Sequence, residues 1–138
     1  MNITGLHHIG IYTVDIDRSQ HFYNDLLKFT TTWAGDLPLP PGIFKVAMLR
    51  MGSCVVELVQ PPDSSRVASN HGPVQHIALE VSDLEEVVSE LKGKNAVFET
   101  GNITTMPDFC LHGVRNIFIT GPSGERIELV ENIQPNRS

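Results

Sequence analysis

The chain has 138 residues, of which 41% are hydrophobic and 19% are charged, and its formal net charge at pH 7 is −6. These values are typical of a globular domain, and the negative charge without a Lys/Arg cluster argues against nucleic acid or an anionic membrane as partner. No apolar run is long enough to cross a bilayer and no signal peptide is visible, so we expect a cytoplasmic protein with reduced cysteines.

The first half of the chain predicts one helix between four strands. Residues 6–13 alternate as a strand, and residues 17–28 follow as a helix that Asp15 or Asp17 can cap. The segment 35–43 is predicted to be an irregular loop, because it has three Pro and two Gly. The other strands of this half are predicted at 30–34, 44–51 and 54–60.

The same order of elements begins again after a linker predicted at 61–73, which is rich in Pro, Ser, Asn and Gly. A strand at 74–81 precedes a helix at 83–93, and residues 100–113 are predicted to be a loop. The remaining strands are predicted at 95–99, 114–120 and 125–131. The chain is therefore predicted to be a duplicated α+β unit of the order β-α-β-β-β, with modules at 5–60 and 74–132.

One ionisable residue lies among apolar neighbours in each of four predicted strands, namely His8, Glu57, His76 and Glu128. Strand alternation directs the aliphatic residues to one face and the ionisable residue to the other, and it places His7 opposite to His8 as a structural residue. If the sheet curls, the four ionisable faces share one interior, where unpaired carboxylates are costly. Two imidazoles and two carboxylates around one divalent cation neutralise both Glu and leave positions for substrate oxygens. The pattern predicts a catalytic site for Ni, Co, Zn, Mn or Fe.

Three segments carry a resemblance to a known family: LHHIGIYTVDIDRSQHFYNDLL, VQHIALEVSDLEEVVSELK and GPSGERIELVE. The chain resembles the vicinal oxygen chelate superfamily, which includes glyoxalase I, methylmalonyl-CoA epimerase, extradiol dioxygenases and fosfomycin-resistance proteins. The resemblance implies that residues 1–138 form a single domain in which two βαβββ modules build a curled, cup-shaped mixed sheet around a metal. The superfamily's metal positions match His8, Glu57, His76 and Glu128, and this full set resembles the isomerase and epimerase branches.

The resemblance implies a metal-dependent lyase or isomerase that transfers a proton through an enediolate on a small α-oxygenated carbonyl substrate. A carboxylate would act as the base, with Glu128 favoured and Glu57 almost as suitable because the repeats are nearly symmetric. The positions where glyoxalase I has glutathione-binding Arg residues correspond to Tyr12 and Trp33, so a glutathione substrate is not expected. Family members pair their modules within a chain or across a dimer, and a homodimer is expected.

Further residues are expected by alternation to line the cup and bind the substrate: Tyr12, Trp33, Met48, Arg50, Asn116, Phe118 and Arg126. Arg50 and Arg126 are candidate anchors for an anionic group, or else ordinary strand-end cations, with Glu80 as a possible ion-pair partner. Two alternative functions remain on the same scaffold. One is an Fe(II) ring-cleaving dioxygenase, and the other is a non-catalytic small-molecule (drug) binding protein.

Overall fold

The structure is a computed structural model that describes residues 6–67, 74–107, 109 and 113–133. The chain divides into two compact units, Met1–Ser69 and Asn70–Ser138. Each unit has a mixed sheet of parallel and antiparallel strands with few helices, which confirms the predicted α+β class. No helix in the described ranges is both long and apolar enough to cross a membrane.

The first unit has a four-stranded sheet in the order β1-β4-β3-β2, in which β1 runs parallel to β4 and the other neighbours are antiparallel. Its helix α1 continues directly into one π-helical turn, where the sequence predicted a single α-helix at 17–28. The elements are β1 Ile9–Tyr12, α1 Ile16–His21, the π turn Phe22–Leu26, β2 Thr30–Leu39, β3 Gly42–Met51 and β4 Cys54–Gln60.

The helix of the first unit begins where the sequence expected it. The Asp15 carboxylate accepts a hydrogen bond from the Arg18 backbone N–H at 3.1 Å, which satisfies one of the unpaired donors of the first turn. The helical segment then buries Tyr23 completely, with the ring of Phe29 packed edge-on against it. This burial fixes the helix on the aliphatic face of the sheet.

The predicted loop at 35–43 is wrong, because β2 continues to Leu39 and β3 begins at Gly42, with Pro40 and Pro41 at the hairpin end. Strand β2 is the edge of its sheet, so one side of its backbone makes no ladder hydrogen bonds. Proline lacks an N–H donor, and an edge strand therefore accepts Pro38 without losing a bond that a central strand would need.

The second unit has its strands in the order β5-β9-β8-β6, with β7 also paired to β8 and β5 parallel to β9. The elements are β5 Ile77–Glu80, α2 Leu84–Gly93, β6 Val97–Phe98, β7 Thr104–Met106, β8 Val114–Thr120 and β9 Arg126–Asn132. Helix α2 is capped by the Asp83 carboxylate, which accepts from the Glu86 backbone N–H at 3.3 Å.

The two segments predicted to be irregular in the middle and second half of the chain each contain a short regular element, and each lies partly outside the described residues. The predicted loop at 100–113 contains the short strand β7, and its positions 108 and 110–112 lie outside the description. The predicted linker at 61–73 contains a 3₁₀ turn at Ser64–Arg66, and its positions 68–73 also lie outside. Three-residue elements of this kind have too few positions to show a period in the sequence.

The two units share the same strand register around their Glu residues. In the first unit Glu57 of β4 is paired with Gly10 of β1 on one side and with Met48 of β3 on the other. In the second unit Glu128 of β9 is paired in the same way with Ala78 of β5 and with Phe118 of β8. The repeat of elements is therefore also a repeat of registers.

Replacing Leu58 by Ala tests the core of the first unit. Leu58 is fully buried, so we expect the substitution to lower the free energy of unfolding by about 3 kcal/mol, from lost burial and the cavity left behind. Urea unfolding followed by circular dichroism measures this change. The matched control is Leu6→Ala at an exposed position, which should cost less than about 0.5 kcal/mol. Equal losses in both variants would contradict the core assignment.

Candidate metal centre

The first candidate site, called the N-terminal pair, is formed by His8 and Glu57. His8 lies just before β1, and its Nε2 is 3.6 Å from Oε1 of Glu57 in the middle of β4. Val56 and Leu58 are fully buried on the other face of β4, which forces the Glu57 side chain to the opposite side. The two side chains remain 36% and 30% exposed, so the pair is open to a ligand.

The second candidate site, called the C-terminal pair, is formed by His76 and Glu128 in the same way. The Nε2 atom of His76 is 3.2 Å from Oε1 of Glu128. Ile127 and Leu129 are buried on the other face of β9, so alternation again fixes the direction of the Glu. Glu128 is only 14% exposed, which makes this carboxylate less solvated than Glu57.

The distances within both pairs fit two ligands of one metal ion. Nitrogen and oxygen ligands about 2.1 Å from a transition metal, at angles of about 90–120°, are themselves about 3.0–3.6 Å apart. The observed separations of 3.6 Å and 3.2 Å lie within this range. In the described ranges the His, Cys, Asp and Glu side chains form no metal-binding group of three or more. Each pair can thus supply two ligands.

The second ring nitrogen of each candidate His has a neighbour that sequence reasoning did not identify as functional. Nδ1 of His76 is 2.7 Å from Oε1 of Gln75. This contact at Nδ1 holds the ring with Nε2 directed at Glu128, where a metal would bind. Phe118 supports the same ring with an edge-to-face contact at 5.5 Å.

In the N-terminal pair the corresponding neighbour is another histidine. Nδ1 of His8 is 2.8 Å from Nδ1 of His7, so one ring donates and the other accepts. Alternation placed His7 opposite to His8, but both residues precede β1, where the strand period does not apply. The signal that could have found both neighbours is their shared position, since His7 and Gln75 each directly precede the candidate ligand.

The carboxylates of the two pairs differ in their second oxygen. Oε2 of Glu128 accepts a hydrogen bond of 2.7 Å from the side-chain amide of Asn116, a residue on β8 that is 7% exposed. Asn116 is paired with Val130, and the corresponding residue of the first unit is Val46, paired with Val59. The side chain of Val46 has no hydrogen-bond donor. Among the described residues, no side chain donates a hydrogen bond to Glu57.

Three of the predicted substrate-binding residues are aromatic or apolar and lie on the same sheet as Glu57, namely Tyr12, Trp33 and Met48. Trp33, Met48 and Glu57 lie side by side on β2, β3 and β4, because Met48 is the register partner of both. Trp33 is 53% exposed, and Tyr12 at the end of β1 is 46% exposed. Arg50 is exposed and donates from Nε to the Gly52 carbonyl oxygen at 3.0 Å.

Arg126 has a carboxylate partner that the sequence did not predict. Its Nη2 donates to Glu99 at 2.8 Å and its Nε donates to the other oxygen of that carboxylate, while Glu80 lies near Asn132 instead. The hydrogen bonds to Glu99 raise the pKa of Arg126 above its ordinary value. The guanidinium also stacks 4.1 Å above the ring of Phe118. The ion-pair partner of Arg126 is therefore Glu99 and not Glu80, which was a possible partner, and its Nε and Nη2 donors are already engaged.

Comparisons with known proteins point to one family. A family model described as "Glyoxalase/Bleomycin resistance protein/Dioxygenase superfamily" matches residues 7–109. An uncharacterized protein of Bacillus subtilis, YwbC, is 32% identical over 127 residues, which cover 90% of this chain and 94% of that protein. A protein of Synechocystis named "Probable lactoylglutathione lyase" is 29% identical over 129 residues, covering 90% of this chain and 92% of that protein.

A solved structure shows the same fold. The glyoxalase family protein from Enterococcus faecalis superposes with a TM-score of 0.75 at 24% identity, covering 95% of this chain and 100% of that one. The agreement extends over nearly the whole chain and therefore includes residues of both units.

Proposed function

The chain belongs to the Glyoxalase/Bleomycin resistance protein/Dioxygenase superfamily, and from this premise we propose that it is a metal-dependent lyase or isomerase of the glyoxalase type. Its substrate is a small α-oxygenated carbonyl compound, on which it moves a proton through an enediolate. The observation that carries the proposal is the repeated His–Glu pair, with separations of 3.6 Å and 3.2 Å in the same register of both units.

The proposed metal site combines both pairs, either within one chain or across a homodimer. His8, Glu57, His76 and Glu128 together bind one divalent Ni, Co, Zn, Mn or Fe ion. Two carboxylates neutralise the ion, and two imidazoles complete a set of nitrogen and oxygen ligands that leaves room for the substrate. When bound, the ion supplies Lewis-acid polarisation of the substrate oxygen. A cytoplasmic location and a homodimer are part of the same proposal.

The proposed base is Glu128, with Glu57 as the second carboxylate of the site. Glu128 is less exposed than Glu57, at 14% against 30%, and its second oxygen is fixed by Asn116. A base must be held within reach of the proton that it removes, and a fixed carboxylate meets this condition better than an unsupported one. Glu57 keeps more freedom, because no described side chain holds its second oxygen.

The proposed substrate is not a glutathione adduct. Tyr12, Trp33 and Met48 offer aromatic and apolar surface on the sheet that carries Glu57, which suits an uncharged group. Recognition of a carboxylate favours an Arg with a free planar fork, but Arg126 already pairs with Glu99, and Nε of Arg50 is engaged by the Gly52 carbonyl. Phe118 and Asn116 contact the candidate ligands, so we propose that they support the metal site.

Metal uptake tests the proposal directly. The purified protein, stripped and then reloaded, should bind about one transition-metal ion per two His–Glu pairs, measured by elemental analysis and calorimetry. We expect His8→Ala and His76→Ala each to weaken binding by more than about tenfold, because each removes one ligand. His21→Ala is the control, since His21 lies on an exposed helix beside Asp25. A wild-type protein that takes up no metal would sink the proposal.

Proton exchange tests the reaction. Small uncharged α-hydroxy aldehydes and ketones, incubated with metal-loaded protein in D₂O, should exchange the proton next to the carbonyl, as seen by proton NMR. We expect Glu128→Gln to slow this exchange by about 10²–10⁴-fold, the usual loss on removing a general base. Glu80→Gln, an exposed residue at the end of β5, should have little effect. Oxygen consumption with catechols and Fe(II), without exchange, would favour a ring-cleaving dioxygenase instead.

A further inference from the structure

The N-terminal pair and the C-terminal pair have the same residue types and the same strand register. They differ in the side chain that lies next to the Glu carboxylate. In the C-terminal pair the Asn116 amide reaches across from β8 to β9 and donates to Oε2 of Glu128 at 2.7 Å. In the N-terminal pair the same place on β3 is occupied by Val46, which is buried and apolar. In the part of the chain that the structure describes, a side-chain donor thus holds Glu128, and none holds Glu57.

The hydrogen bond from Asn116 selects one orientation of the Glu128 carboxylate. With Oε2 bound to the amide, the free oxygen is Oε1, which lies 3.2 Å from Nε2 of His76. The contact between Nδ1 of His76 and Gln75, at 2.7 Å, holds the ring in this orientation. The two candidate ligand atoms are therefore both held in place by neighbouring side chains. A preorganised pair loses less side-chain freedom on binding a metal than an unsupported pair does.

We propose that Asn116 is a positioning residue that holds Glu128 as a metal ligand and makes the C-terminal pair the stronger half of the metal site. The inference rests on the proposed function, because it assumes that Glu128 binds the metal. Asn116 was expected from the sequence to contact the substrate, whereas here it acts through Glu128. Val46 gives the N-terminal pair no such support.

Asn116 is also a nearly buried polar residue, and any such residue needs a partner whether or not it has a functional role. A purely structural role would make Asn116→Val change folding and metal binding independently of Glu128. A positioning role makes its effect on metal binding depend on Glu128 alone. A double-mutant cycle separates these two cases, because the interaction between two residues appears as the departure from additivity.

The experiment titrates the stripped full-length protein with Co²⁺, followed by the visible absorption of the bound ion and by calorimetry. We expect Asn116→Val, which installs the residue type of the other unit, to weaken Co²⁺ binding by about 10–100-fold, the usual cost of losing an outer partner of a ligand. Asn132→Val is the matched control. Asn132 lies on β9 near Glu80, away from Glu128, and its replacement should change the affinity by less than about twofold.

The cycle is completed in the Glu128→Ala background. There, Asn116→Val should have no further effect on Co²⁺ affinity, because the carboxylate that it positions is gone. If Asn116→Val does not fold, Asn116→Ser replaces it, since a serine hydroxyl is too short to reach Glu128 and should cause the same loss. Circular dichroism of each variant confirms that the fold is retained.

The outcomes separate the inference from the proposed function. A wild-type protein that binds no Co²⁺ overturns both. If the wild type binds Co²⁺ and the Asn116→Val variant binds it equally well, the inference is overturned, but the proposed function is not. A loss of the same size in the presence and absence of Glu128 shows a structural role, and it also overturns the inference. A loss found only when Glu128 is present supports it.

Discussion

The structure depends on a conflict between aliphatic burial and a carboxylate in the same short strand. Strands β4 and β9 each bury two aliphatic residues completely or nearly so, and each has a Glu between them. Because strand side chains alternate, burial of the aliphatic pair fixes the Glu on the opposite face, even though partial burial of the carboxylate there costs desolvation free energy. A partly desolvated carboxylate needs a hydrogen-bond donor or a cation, and the His just before the adjacent parallel strand is placed to meet that need. The register between the parallel strands therefore determines the chemistry of both half-sites.

Much of this arrangement could be predicted from the sequence, because it follows from local periodicity. The bounds of β4 and β8 match their predicted ranges, since both strands are central and show clear alternation. The failures have a different origin. Whether Pro38 ends a strand depends on whether the strand is an edge, and that is a property of the assembled sheet and not of the segment. Similarly, β7 is held by its pairing with β8 and has no periodic pattern of its own.

The candidate site likewise has one part that could be predicted from the sequence and one part that could not. The approach of His8 to Glu57, and of His76 to Glu128, could be expected from alternation together with the repeat, although the joining of the two pairs into one metal site remains a proposal. The partners of these residues could not be expected in the same way. Asn116 meets Glu128 because of a register between two strands, and Glu99 meets Arg126 from the segment after β6. Such contacts require both the register and the rotamers to be known, and a single sequence specifies neither.

The differences between the units matter more for the proposed chemistry than their likeness does. Two identical half-sites would offer two equivalent carboxylates, and nothing in the protein would determine which one takes the proton. Asn116 occupies the position that corresponds to Val46 of the first unit, and Gln75 occupies the position that corresponds to His7. The symmetry is therefore broken at the neighbours of the candidate ligands, while the candidate ligands themselves are the same. Holding one carboxylate by a neutral amide costs no additional charge in the site, whereas an Arg or Lys in its place would compete with the metal for that carboxylate. An amide is therefore the side chain type that can fix a ligand without neutralising it, and a duplicated fold can acquire a directed reaction by changing such a neighbour on one side only.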